Sequence, residues 1–153
     1  MQKPLAGVRV LAVEQYGAGP FGTQHLADLG ATVIKVENRK MGGDYARNLG
    51  PFSVGGGDGD DVSLFFQSVN RGKQSITLDL GNPKADTIFA RLVTGVDAVA
   101  NNLRGDVPGK LGLNYESLKK HNPAVICAHC SGYGRTGPRH NWPGYDFLMQ
   151  AEA

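Results

Sequence analysis

The glycine run Gly17-x-Gly19-x-x-Gly22 is the first segment whose residue types could do chemistry. It follows an apolar stretch, Val8 to Val13, and leads into a helical pattern. Its backbone N–H groups could therefore cradle a phosphate at a helix N-terminus. Glu37 closes the next apolar stretch, where a dinucleotide fold carries its ribose-binding acid. It lies roughly 15 residues past Gly22 rather than about 20, and Pro20 interrupts the glycines, which disfavours nicotinamide or flavin. Close backbone approach to some other ligand, or a purely structural turn, fits the run better.

Cations form the second constellation. Asn70-Arg71-Gly72-Lys73-Gln74-Ser75 sets two of them in a turn before a strand. Asn102-Leu103-Arg104-Gly105 follows another strand, and Lys110 follows that turn. In open α/β sheets ligands bind beyond the carboxyl ends of the strands. Arg104 and Lys110, with Arg39 after the second strand, are thus expected to converge on an anionic ligand, solvated surface charge being the alternative for each alone.

Two other motifs weigh less. Cys127-x-x-Cys130 suggests metal or redox chemistry, but Ile126 to Ser131 reads as a strand, in which residues three apart face opposite ways. With no second cysteine pair, buried strand cysteines are the favoured reading. Asp58-Gly59-Asp60-Asp61 invites calcium, yet a loop starting at Asp58 would need an acid at Val69 and a glycine at Ser63, so a solvated loop is favoured.

The elements that must position these groups alternate. Strands are expected at Val8–Val13, Ala31–Glu37, Gln74–Leu80, Val96–Ala100 and Ala124–Ser131. A helix runs from Pro20, placed at its first position, to Leu29, and Gly30 ends it. Asn82-Pro83 opens a helix carrying Ile88, Phe89, Leu92 and Val93 at helical spacing, and Asn114 opens another with Tyr115 and Leu118. Arg39 to Asp61 reads as a long loop, Ser63 to Val69 is ambiguous, and Tyr145 to Ala153 looks like a helix beginning. Strands alternating with helices predict an α/β fold, an open, mostly parallel, Rossmann-like sheet with helices on both faces. The β-α-β unit at the start predicts a right-handed crossover.

Bulk properties agree. The chain has 153 residues, 41% hydrophobic and 20% charged, which suits one globular domain and argues against disorder. A net charge of +2 is too small a bias to point to nucleic acid. No apolar run reaches roughly 18 residues, so no membrane span is expected. Two cysteines and no signal-peptide pattern point to a reducing, cytoplasmic setting. A chain that stops inside an apolar, periodic segment suggests a fragment, with exposed apolar surface and association as consequences.

Several segments, in order, resemble the class III coenzyme A transferases, the group that includes formyl-CoA transferase, carnitine CoA-transferase and α-methylacyl-CoA racemase. They are Pro4 to Leu11, Ala18-Gly19-Pro20, Leu29 to Glu37, Asn70 to Leu80, Asn102-Leu103-Arg104, Leu111-Gly112-Leu113, Asn122 to Ile126, Ser131 to Gly134 and Gly144-Tyr145-Asp146. The resemblance covers the whole chain and implies that residues 1–153 are the N-terminal part of the family's large domain.

It also implies roles. Gly17 and Ala18 would approach coenzyme A. Arg39 or Asn38 would meet its adenine end; many relatives carry a basic residue at the position of Asn38. Lys73, the stretch from Leu78 to Leu80, the stretch Asn102, Leu103 and Arg104, and Lys110 would line the nucleotide and phosphates. Tyr145 and Asp146 would lie near the thioester.

In the family an aspartate attacks the acyl-CoA thioester to give a mixed anhydride. The thiolate then forms an enzyme thioester, which the acceptor acid resolves. That aspartate is expected beyond Ala153, so no catalytic residue is assigned here and Asp146 is not it. Racemases of the family usually carry His where this chain has Tyr145, which favours transfer over epimerisation; a non-catalytic CoA-binding remnant is the third reading. The implied partners are acyl-CoA, a carboxylic acid and a second copy in an interlocked homodimer, with no metal, nucleic acid or membrane.

Overall fold

The computed structural model describes residues 2–55 and 61–153, so Asp58 to Asp60 of the acidic run lie outside the described residues. Five parallel strands form the main sheet: β1 (Arg9–Val13), β2 (Thr32–Glu37), β5 (Gln74–Thr77), β6 (Ala98–Asn101) and β7 (Ile126–His129), in the order β5-β2-β1-β6-β7. The short pair β3 (Ser53–Val54) and β4 (Val62–Ser63) is antiparallel and separate. From β1 the chain steps outward one way to β2 and β5. It then crosses back to place β6 on the other side of β1, so the strand order reverses between β1 and β6.

Alternation on β1 builds two cores. Val10 and Ala12 face one side and pack with Ala31, Val33 and Leu26. Leu11 and Val13 face the other and pack with Val36, Phe89, Val93, Val99, Leu113 and Leu118. The first face is covered by α1 (Ala18–Asp28), the second by α3 (Lys84–Val93) and α5 (Tyr115–Leu118), so helices flank both faces.

Element ends depart from expectation in instructive ways. α1 starts at Ala18, with Gly17 as its N-cap, so Pro20 is its third residue; its missing N–H still costs nothing, since first-turn donors have no helical acceptor. The ambiguous segment is a helix, α2 (Leu64–Asn70), because the Ser63 hydroxyl accepts from the N–H groups of Phe65 and Phe66. The loop after β2 folds into two 3₁₀ turns, Arg39–Met41 and Tyr45–Asn48, capped by the side chains of Asn38 and Asp44. A short helix, α4 (Val107–Lys110), was not signalled by any apolar period. Ile88 points to solvent at 52% exposure, and Ala85 takes its place beside Phe89 and Val93 in the core. The last helix, α6, spans Asp146–Glu152.

Candidate functional site

Ligand sites of such sheets form where the strand order reverses. Two adjoining cavities stand there. The first, about 300 Å³, is walled by apolar groups of Val13, Val36, Leu78, Leu80, Leu103 and Leu111, together with Gln15, Asn38, Met41 and the glycines Gly43 and Gly81, and the carboxylates Glu14, Glu37, Asp44 and Asp79 also line it. The second, about 450 Å³, is lined by Gln15, Ala18, Asn102, Leu103, Arg104, Val107, Cys130, Ser131, Trp142 and Tyr145, among others. Gln15 and Leu103 belong to both.

The expected residues divide between ligand-facing positions and the protein's own framework. Leu78 and Leu103 line the apolar cavity, and Ala18, Asn102, Leu103, Arg104 and Tyr145 line the other. Gly17 caps α1 beside them, and in an α-helix the first-turn N–H groups of Ala18 and Gly19 have no acceptor. Arg39 lies exposed on the first 3₁₀ turn and lines neither cavity, whereas its neighbour Asn38 lines the first. Lys110 sits in an adjacent cleft that shares Leu80 and Leu111 with the first cavity.

Arg104 and Lys110 do meet, on one carboxylate: Asp106 lies 3.1 Å from Arg104 Nε and 2.6 Å from Lys110 Nζ. The hydrogen bond from Lys110, helped by Arg104, holds the Asp106 carboxyl below the usual carboxylate range. Asp146 begins α6 and lines neither cavity; its carboxylate accepts from Gln150 Nε2 at 2.6 Å.

Lys73 stands apart from the expected phosphate contacts. Its side chain is 2% exposed and its ammonium donates to Glu14 Oε1 at 2.8 Å, to the Pro20 carbonyl at 2.8 Å and to Asn70 Oδ1 at 3.2 Å. Three hydrogens meet three acceptors, so Lys73 supports the turn from beneath. Burial pulls its pKa down, and Glu14 opposes that pull.

The glycine run has a specific reason. A Cβ at Gly19 would stand 2.8 Å from Asn102 Cγ, while Gly22 has open space around it. Asn102 fills the room that Gly19 leaves. Its Oδ1 accepts from the Gln15 N–H at 3.0 Å and its Nδ2 donates to the Gln15 carbonyl at 2.7 Å. The side chain thus rivets the turn after β1 to the end of β6.

Cys127 is half-buried on the second core, but Cys130 is exposed and lines the second cavity, which corrects the expectation that both are buried. Cys130 lies one residue past the end of β7, where strand alternation no longer applies. No group of three metal-ligating side chains occurs among the described residues. At the β6–β7 tips, Asn101 Oδ1 accepts from the Leu103 N–H, so Asn101 Nδ2 donates to His129 Nδ1 at 2.7 Å and the ring proton sits on Nε2. Burial, then Arg135, lowers the His129 pKa and keeps the ring neutral.

The loop leading to Tyr145 is held by backbone packing. A Cβ at Gly105 would overlap the Gly134 carbonyl oxygen, and one at Gly132 would come 3.0 Å from Gly144 Cα. Arg139 lies 4.9 Å from the Trp142 ring centre and 2.8 Å from Glu152, tying this loop to α6.

Glu37, 4% exposed at the tip of β2, anchors the opposite wall. Burial alone would raise its pKa. Two bonds from Arg47 (2.9 and 2.6 Å), one from Ser75 (2.5 Å) and one from the Asp44 N–H (2.7 Å) overcome burial and hold it at about 2. The folded pKa is depressed below 4.5, so this stabilisation is complete above about pH 4.5 and is lost as pH falls toward 2. At about 1.4 kcal/mol per pH unit the contribution is at most about 3.5 kcal/mol. Urea denaturation at pH 6 and pH 3 should show Glu37→Gln flattening the acid-side loss of stability; an unchanged acid limb would refute this assignment.

Among the lining residues that sequence reasoning missed are Gln15, Met41, Asp44, Val107, Cys130 and Trp142. Gln15 carried a usable signal: it is the second residue past a strand's carboxyl end at the switch point. Trp142, the single tryptophan, sits in the glycine-rich loop that ends at Tyr145, with no periodicity to show where it turns.

An open α/β sheet with paired cavities at its switch point places the candidate site where sheets of this class bind ligands. The chain belongs to CoA-transferase family III, whose profile matches residues 5–153. It is 44% identical over 148 residues to the succinate–glutarate CoA-transferase of Agrobacterium fabrum, covering 96% of this chain and 37% of that one. The acetyl-CoA:oxalate CoA-transferase of Acetobacter aceti is 45% identical over 148 residues, with 97% and 36% covered. A CaiB/BaiF family protein from Brucella suis superposes with a TM-score of 0.89 at 39% identity, covering 99% of this chain and 39% of that one. The chain therefore spans little more than a third of the length of these relatives. No helix among the described residues is long and apolar enough to cross a membrane.

Proposed function

We propose that this chain supplies the coenzyme-A-binding part of an enzyme that moves coenzyme A between an acyl-CoA and a carboxylic acid. The observation that carries the reading is the pair of cavities sharing Gln15 and Leu103, one walled largely by aliphatic side chains with the carboxylates Glu14, Glu37, Asp44 and Asp79 also lining it, the other lined by Arg104 and no carboxylate. The apolar cavity takes the adenine end, with Asn38 and Arg39 nearby. The phosphates and the pantetheine arm lie against Gly17, Ala18 and the N-terminus of α1, with Arg104 on the wall of the second cavity and Lys110 in the adjacent cleft, the two cations sharing Asp106. The thioester lies in the second cavity beside Tyr145, with Asp146 at its margin.

An aspartyl carboxylate outside these 153 residues then attacks the thioester carbonyl, the C–S bond breaks and the thiolate leaves, giving a mixed anhydride. The thiolate attacks that anhydride at the aspartyl carbonyl and frees the donor acid, leaving an enzyme thioester. The acceptor carboxylate opens this thioester and receives coenzyme A through a second anhydride. Backbone N–H groups beside the thioester stabilise charge on the carbonyl oxygen. The names of the relatives, transferases for succinate, glutarate and oxalate, support small carboxylic acids as substrates, and two interlocked copies complete the enzyme.

Coenzyme A at about a hundred times its Kd should stabilise the purified chain by about 2.7 kcal/mol, raising Tm by about 5 °C or more. NAD at the same concentration should leave Tm unmoved. The same preparation should show no coenzyme A transfer. No shift at millimolar coenzyme A would overturn the binding assignment, and measurable transfer would overturn the placement of the nucleophile.

A further inference from the structure

The sharpest unexplained feature follows the residue that the two cavities share. Tyr16 has φ 67°, the single non-glycine residue with positive φ among those described. That conformation is unfavourable for a side chain with a Cβ and persists only where surroundings over-determine it. Tyr16 directly follows Gln15, the residue both cavities share, and precedes Gly17, the N-cap of α1.

What over-determines it is Asp44. The Tyr16 N–H donates to both oxygens of this carboxylate, at 3.0 and 3.2 Å. The same carboxylate accepts from the Ala46 N–H at 3.0 Å and from the buried Lys35 ammonium at 2.7 Å. Side chains of Lys35 and Asp44 are 1% and 0% exposed. Lys35 also donates to Asn70 Oδ1 at 3.0 Å, and Asn70 in turn holds Lys73. The Asp44 N–H donates to Glu37. Gly43 is required beside it, since a Cβ there would stand 2.7 Å from Glu37 Oε2. The ring of Tyr16 stacks on Tyr45 at 5.3 Å and packs against Phe65 at 5.2 Å.

We infer that Asp44 is a positioning residue for coenzyme A binding: it locks Tyr16 in the left-handed conformation and so fixes the turn from Gln15 to Ala18 against the wall formed by Asn38 to Asp44. The inference rests on the coenzyme reading above. Its physical content is narrow. A buried ion pair is weak evidence for stability, because an apolar pair of similar volume can replace it at little cost. What an apolar pair cannot replace is the acceptor that the Tyr16 and Ala46 N–H groups require.

Two double variants separate these roles. K35M/D44N removes both charges and keeps a side-chain oxygen for the Tyr16 N–H. K35M/D44L removes both charges and the acceptor. Titration calorimetry with coenzyme A on the full 153-residue chain should find K35M/D44N within about threefold of the parent. K35M/D44L should bind at least tenfold more weakly, even where its Tm matches. Equal affinity of the two variants would overturn the proposal.

Hydrogen–deuterium exchange in the unmutated chain gives a second measurement that no folding failure can remove. The Tyr16 and Ala46 amides should exchange as slowly as those of β1 and β2, and exchange at loop rates would overturn the proposal. If the parent binds no coenzyme A, the functional reading fails, while the exchange result still decides whether Asp44 locks the turn.

Discussion

Glu14→Ala should destabilise the chain by about 3–5 kcal/mol, because it strips the counter-charge from a buried ammonium. Lys73 and Glu14 are 2% and 0% exposed at the side chain and 2.8 Å apart, and Thr23 Oγ1 donates to the same Glu14 oxygen at 2.7 Å. In the variant Lys73 keeps the Pro20 carbonyl and Asn70 Oδ1, both neutral acceptors. Burial already lowers its pKa, and Glu14 is the nearest group that opposes this. At roughly 2–4 °C per kcal/mol for a chain of this size, Tm should fall by about 10 °C. The double variant E14Q/K73M removes charge from both sides and should recover most of the loss. Thermal and urea unfolding of the three proteins measure this; a loss below about 1 kcal/mol for Glu14→Ala would show that water reaches Lys73.

The same pair explains why the framework was easier to read than the site. Alternation along Val10 to Val13, the helical spacing of Phe89 and Val93, and the caps at Gly30 and Asn114 are local, and each element follows from them. A lysine in the turn Asn70 to Gln74 carries no local mark of burial. Lys73 acquires its three acceptors only after β1, α1 and α2 have packed, so sequence alone assigns it to solvent or a phosphate. Lys35 and Glu37 show the same limit inside a strand: alternation places them on one face but says nothing of the Asp44 loop that folds over them. Asp146 adjoins Tyr145, which lines the second cavity, yet one helical step turns its carboxylate onto Gln150. Gly19 was singled out for phosphate approach; its neighbour in space is a side chain contributed 83 residues later, a relation that only the reversal of strand order creates.

That neighbour gives the second large effect. Asn102→Ala should weaken coenzyme A binding at least tenfold while costing only about 1–2 kcal/mol of stability, since the two hydrogen bonds it removes are solvent-accessible and worth about 1 kcal/mol each. The affinity loss follows from geometry. Asn102 occupies both backbone groups of Gln15, so its removal frees the turn that separates the two cavities. Asn102→Asp should be as poor, because an oxygen would then face the Gln15 carbonyl. Gly19→Ala should reproduce the defect, as its new Cβ would displace the amide from a contact of 2.8 Å. The decisive comparison is G19A/N102A. Once the amide is gone the Cβ has room, so the double variant should bind no worse than Asn102→Ala alone. Additive losses in calorimetric Kd would mean that Asn102 and Gly19 act on the coenzyme separately, the former as a direct ligand rather than as the rivet of the turn.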